Sequence, residues 1–182
     1  VKAAAEIHLL DEFLQGAAER LKYHVIVETN AGLENIYEIA GASQRIVSLL
    51  FGEVDMSADL RCRRTPTALL YARSRTVHAA AAFELDVMDV PHINLEDMAG
   101  LEAHAAEIGF TGKGCIHPTQ LPIVHRHFTP TAEEIARAKQ AVAAFAESGS
   151  SGLAVLNGLM LQKPVLRASK RILALAERSG GR

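Results

Sequence analysis

The sequence predicts an α/β fold of parallel β/α-barrel type, and three observations carry that expectation. Short apolar runs alternate with segments of helical periodicity, which implies parallel strands joined by right-handed crossovers. Each run ends close to one polar group capable of chemistry: Glu28, Asp55, Asp89 and His117 in turn. Functional groups at the carboxyl ends of successive strands mark the active face of a (β/α)8 barrel. Finally, "ETNAGLEN" (28–35) lacks the GxGxxG that a dinucleotide-binding sheet wants after its first strand. Only four βα units are legible, whereas a closed barrel needs eight and about 250 residues. A half-barrel and an open sheet both satisfy that count.

The elements follow in order. Residues 3–21 carry Ile7, Leu10, Leu14, Ala17 and Leu21 at spacings of three and four, an amphipathic helix. Val1-Lys2 before it reads as the tail of a strand. "YHVIVE" (23–28) is a strand and "LENIYEIAGA" (33–42) a helix. Residues 45–51 form the second strand; five of the six residues from Ile46 to Phe51 are hydrophobic, as in a strand buried on both faces. Glu53, Asp55 and Asp59 follow where the chain leaves the core. After a polar loop with Pro66, residues 67–85 form a long Ala-rich helix, 86–90 a third strand and 96–109 a helix with a glycine stop. "KGCI" (113–116) is a fourth strand, closed by His117-Pro118 and a short helix over 119–127.

Beyond this the pattern changes, and the chain divides into a partial barrel (1–128) and a C-terminal segment (129–182). Residues 129–147 form a helix with Ile135, Ala138, Val142 and Phe145 on one face, and Thr131 with Glu134 makes a capping box. "SGSSG" (148–152) reads as a flexible hinge. Residues 153–164 and a last helix over 165–178 complete an extension able to act as a lid.

Composition excludes several function classes. The chain has 182 residues, 22% of them charged, and a net charge of -2 with no basic run. The electrostatic footprint of a nucleic-acid binder is therefore missing. No 18 consecutive apolar residues occur and no basic-then-apolar leader opens the sequence, so no membrane association and a cytoplasmic location are expected. Cys62 and Cys115 belong to no CxxC, and the eight histidines form no HExxH. His125 and His127 read as a polar helix face. "GFTGKG" (109–114) lacks the GK[ST] ending of a phosphate-binding loop.

"VETNAGLENIYEIA" (27–40), "LLFGEVDMSADL" (49–60), "LLYARSRTVHAAAAFEL" (69–85) and "GFTGKGCIHPTQ" (109–120) together resemble the HpcH/HpaI aldolase/citrate lyase family, in particular its citrate lyase β-subunit-like CoA-ester lyases. The specificity lies in the ordered set ET-x-x-G, FG-x-x-D and GK-x-x-IHP-x-Q. The resemblance implies a Mg2+-dependent TIM barrel with a C-terminal lid, assembled as a trimer or hexamer, of which this chain carries the C-terminal four βα units. It implies cleavage or formation of a C–C bond in a 3-hydroxyacyl thioester such as malyl-CoA, citramalyl-CoA or a citryl ester. It assigns the metal to Glu28 and Asp55, and the carboxylate of a keto acid to the backbone of Gly52, Glu53, Val54 and Asp55. Mg2+ typically takes one or two carboxylates and leaves its other positions to water and substrate. Lys113, His117, Pro118 and Gln120 fall near the rim where the family places the CoA chain. A structural role for that turn and a general-base role for His117 both stand, while Asp89 reads as a supporting residue.

Two departures from the family weigh on function. The segment that would supply the first half of the barrel, with the arginine that polarises the thioester carbonyl, lies outside this sequence. The lid run, in which family lyases carry an acid/base Asp, here reads "GLMLQKP" (158–164), with Gln162 in its place. An amide does not exchange a proton at neutral pH, so the catalytic acid/base is left unassigned. The readings open from sequence are a Mg2+-dependent thioester lyase, a pyruvate-type aldolase of the same superfamily, and a catalytically impaired metal-binding or assembly fragment.

Overall fold

The computed structural model describes residues 1–18, 20–96, 104–148, 153–156 and 158–180. Two compact units are present, Val1–Val124 and His125–Arg182.

The first unit is built on a four-stranded sheet in the order β1 (Tyr23–Val27), β2 (Ile46–Phe51), β3 (Asp86–Asp89), β4 (Gly112–Lys113). Every adjacent pair is parallel. Strand order follows chain order without a reversal, so the sheet lacks the switch point of a doubly wound fold. Between the strands lie α2 (Asn30–Glu34), α3 (Ile36–Ala40), α4 (Glu53–Asp59), α5 (Leu70–Ala82) and α6 (His104–Glu107). The helix expected over 96–109 falls partly on residues 97–103, outside the described set.

Register explains the core. Val25, Leu49 and Val87 stand side by side on one face and are all buried. Against that face packs α5, whose buried Ala72, Thr76, Ala79 and Ala80 let the helix approach β2 and β3 closely. On the other face Ile26 is 44% exposed, and Leu50 and Met88 are half-buried. The second strand is thus covered fully on one side only, a correction to the expectation of burial on both.

The opening helix is shorter than its periodicity suggests. α1 spans Ala4–Phe13, and a 3-10 turn follows at Gly16–Ala18. Gly16 takes φ +71°, which the left-handed region permits to glycine and which stops the helix. Arg45 then gathers the released carbonyls of Leu14, Ala18 and Leu21. Ahead of α1, the amino group of Val1 donates to Ile26 O at 3.0 Å, on the β1 edge facing away from β2. The tail Val1-Lys2 therefore lies where another strand of the sheet would run.

The second unit pairs α7 (Ala132–Glu147) with α8 (Lys163–Gly180) and with a hairpin of β5 (Leu153–Leu156) and β6 (Leu159–Gln162). The capping box forms as expected: Thr131 N donates to Glu134 Oε2 at 2.8 Å, and Glu134 N to Thr131 Oγ1 at 3.2 Å. Gly158, at φ +78°, supplies the tight turn of the hairpin. The expected hinge falls on residues 149–152, outside the described set.

Candidate functional site

Glu28 and Asp55 reach the same end of the sheet from neighbouring strands. Glu28 follows β1, and Asp55 lies in the first turn of α4, which begins two residues after β2. Gly52 N donates to Val27 O at 2.9 Å, tying the strand ends together. The Glu28 side chain lies against the bare face of Gly52. A β-carbon there would collide with Glu28 Cβ and stand 3.0 Å from its Oε2. The glycine of FG-x-x-D is thus the floor on which the acid of ET-x-x-G rests. In that second motif Thr29 caps α2, accepting from Gly32 N at 3.2 Å. Gly32 leaves room for the Val1 carbonyl, which a side chain would strike.

Gly52, Val54 and Asp55 also line a cleft of about 470 Å³, together with Asp89, Arg73 and Lys113. Asp89 is buried, and its Oδ2 accepts from Lys113 Nζ at 2.6 Å and from Arg73 Nη2 at 3.0 Å. Arg73 also stacks over the Phe110 ring, 5.3 Å from its centroid. Asp89 is therefore the anchor of two cations, in keeping with a supporting role. Lys113, expected at the rim, has its side chain only 6% exposed and its ammonium committed to that anchor. Arg73 was not singled out from sequence. The signal was there: an arginine on the buried stripe of an Ala-rich helix calls for an acid across from it.

The third motif is largely architectural. Gln120 is fully buried; its Oε1 accepts from Ile116 N at 2.9 Å and its Nε2 donates to His92 O at 2.6 Å. Both of those residues line the cleft, so Gln120 ties together the segments that follow β3 and β4. His117 caps the 3-10 turn Pro118–Gln120, its Nδ1 paired with Thr119 Oγ1 at 2.8 Å and accepting from Thr119 N. Its Nδ1 is used in the turn, in keeping with the structural reading of the IHP turn. Burial pushes the Cys115 thiol up, the wrong direction for a nucleophile. Gln162 ends β6 in the second unit, exposed.

What the arrangement offers chemically is two carboxylates at adjacent strand ends and a cleft beside them lined by both charged and apolar side chains. No group of three or more His, Cys, Asp or Glu able to hold a metal occurs among the described residues. A two-carboxylate set suits Mg2+, whose remaining positions go to water and ligand oxygens, better than a metal enclosed by protein. Among the described residues no helix is long and apolar enough to cross a membrane.

Fold and site define a parallel α/β protein with acids and a cleft at the carboxyl ends of its strands. The chain belongs to the HpcH/HpaI aldolase/citrate lyase family, whose sequence pattern it matches over residues 2–118. It is 32% identical to the citrate lyase subunit beta of Leuconostoc mesenteroides subsp. cremoris, over 97% of this chain and 63% of that protein. It is 30% identical to the mitochondrial citramalyl-CoA lyase of Homo sapiens, over 91% of this chain and 57% of that one. Among solved structures it resembles CitE from Mycobacterium tuberculosis in complex with magnesium, acetoacetate and coenzyme A. That match has a TM-score of 0.75 and 29% identity, over 97% of this chain and 66% of that one. The chain thus spans less than two thirds of the length of these curated relatives.

Proposed function

We propose that this chain carries the metal- and keto-acid-binding part of a Mg2+-dependent carbon–carbon lyase acting on a 3-hydroxyacyl thioester of the malyl-CoA, citramalyl-CoA or citryl type. The carrying observation is that Glu28 and Asp55 follow the carboxyl ends of neighbouring strands, with Glu28 seated on Gly52. Glu28 and Asp55 hold the ion, which when bound supplies a Lewis acid for the keto oxygen. The backbone of Gly52, Glu53, Val54 and Asp55 receives the keto acid's carboxylate, and the cleft beyond takes the thioester portion. Lys113, fixed by Asp89, contributes positive charge to that cleft. The relatives named as lyases, and the one solved with magnesium, acetoacetate and coenzyme A, support this reading.

The unreversed strand order, and Val1 seated beside the outer edge of β1, support reading the sheet as four units of a (β/α)8 barrel. Both edges of such a segment carry open backbone groups, which favours assembly with further copies or with a complementary segment.

A second reading rests on Gln162. A glutamine can hydrogen-bond a carbonyl but cannot deliver a proton, and positioned acid/base help is commonly worth about 10²–10⁴-fold. A metal-binding chain with little turnover fits that substitution. Cleavage of malyl-CoA and citramalyl-CoA, assayed with and without Mg2+, separates the two. Mg2+-dependent release of the keto acid supports the lyase, and Gln162→Asp should then raise its rate. Mg2+ binding without cleavage of either thioester leaves the second reading.

A further inference from the structure

Asp59 lies one helical turn beyond Asp55 on α4, so the two carboxylates share a face of that helix. Its Oδ2 accepts a short hydrogen bond, 2.5 Å, from the backbone N–H of Asn30. Asn30 opens α2 and stands two residues after Glu28, so its amide is one of the donors a helix start leaves without an intrahelical acceptor. The helix that carries Asp55 is thereby latched to the turn that carries Glu28. Resting on the metal reading above, we propose that Asp59 is a positioning residue that fixes the spacing of Glu28 and Asp55 for one divalent cation.

The geometry gives the latch a particular purpose. Gly52 N to Val27 O fixes the strand ends, but Asp55 sits three residues further on, on a helix of seven residues that could pivot about Gly52. Asp59, at the far end of that helix, removes the pivot. Groups that orient metal ligands without touching the metal commonly govern affinity by about 10–100-fold.

Isothermal titration with MgCl2 tests the assignment. The variants are Asp59→Ala, which removes the acceptor, Asp59→Asn, which keeps an acceptor without charge, and Asn30→Pro, which removes the donor and leaves Asp59 intact. Proline is tolerated at the first position of a helix, and Thr29 before it is already extended at φ -131°, ψ 155°, as a residue preceding proline must be. Asp59→Ala and Asn30→Pro should each weaken Mg2+ binding about 10-fold or more, and the double variant should be no weaker than either. Asp59→Asn should bind close to wild type. Unchanged Mg2+ affinity in folded Asp59→Ala and Asn30→Pro overturns the positioning role and leaves Asp59 a helix cap. Equal loss in Asp59→Ala and Asp59→Asn, with Asn30→Pro unaffected, shows that Asp59 acts through its charge and also overturns it. A folded wild type that takes up no Mg2+ overturns the metal reading itself, and this inference with it.

Discussion

Glu28 rests on Gly52: the space a β-carbon would occupy on the glycine is filled by the Cβ and carboxylate of the acid. Gly52→Ala must therefore push Glu28 off its seat or displace α4. Overpacking of this kind typically costs about 1–3 kcal/mol. The expected outcome is a lowered urea midpoint together with loss of Mg2+ binding, although neither carboxylate has been removed. Retained Mg2+ affinity in folded Gly52→Ala would show that the Glu28 side chain is not held there for a ligand.

Asp89 is predicted to be the electrostatic keystone of the cleft wall. Asp89→Ala leaves the ammonium of Lys113 and the guanidinium of Arg73 without their shared anchor. Breaking a buried pair from one side costs about 3–5 kcal/mol. Asp89→Ala should thus destabilise far more than Lys113→Met, which leaves Asp89 its contact with Arg73. Urea unfolding of the two variants gives the comparison, and equal losses would refute it.

Gln120 should behave as a staple rather than a ligand group. Gln120→Leu removes both side-chain bonds, the one from Ile116 N and the one to His92 O, at about 0.5–1.5 kcal/mol for each hydrogen bond lost. Gln120→Glu keeps the acceptor for Ile116 but loses the donor to His92. It should fall between Leu and wild type in thermal unfolding. Both variants should keep their Mg2+ response, since neither touches Glu28 or Asp55.

Acid stability should depend on Asp11. The Tyr23 hydroxyl donates to its Oδ1 at 2.7 Å and Arg45 stands 3.4 Å away. These partners, the Tyr23 hydrogen bond foremost, hold the Asp11 carboxyl below its usual value. A carboxyl with a lowered pKa in the folded state stabilises the fold above its unfolded value, about 3.9. That stabilisation is lost as pH falls through the lower folded-state value. Asp11→Asn should accordingly flatten the loss of stability on acidification below about pH 4. Parallel pH profiles for the two proteins would exclude the linkage.

The parallel sheet was legible because its strands announce themselves. Ile46–Phe51 and Tyr23–Val27 are short β-branched and aromatic runs bounded by polar residues, and local pattern sufficed. The α1 boundary was not legible. Leu14, Ala17 and Leu21 keep helical spacing past Gly16, but the glycine turns the chain at φ +71° and Arg45, distant in sequence, takes the freed carbonyls. "LAVLNGLMLQ" (153–162) carried a hairpin signal, Asn-Gly between apolar runs, but those runs are equally ambiguous as helix, and it went unassigned. The acids after β2 read as loop residues, yet they form α4, so the role of Asp59 required the structure. The burial of Lys113 was likewise hidden, since a lysine after a strand looks solvated until its partner is placed.

The most direct test of the account is the Mg2+-induced shift in thermal unfolding of wild type, Glu28→Gln, Asp55→Asn and, as a neighbouring control, Glu53→Gln. An ion that binds only the folded state adds about 2.7 kcal/mol at a hundredfold excess over Kd. The account predicts a higher Tm with Mg2+ for wild type and Glu53→Gln, and no response from folded Glu28→Gln or Asp55→Asn. A full Mg2+ response in either of the latter two would contradict it.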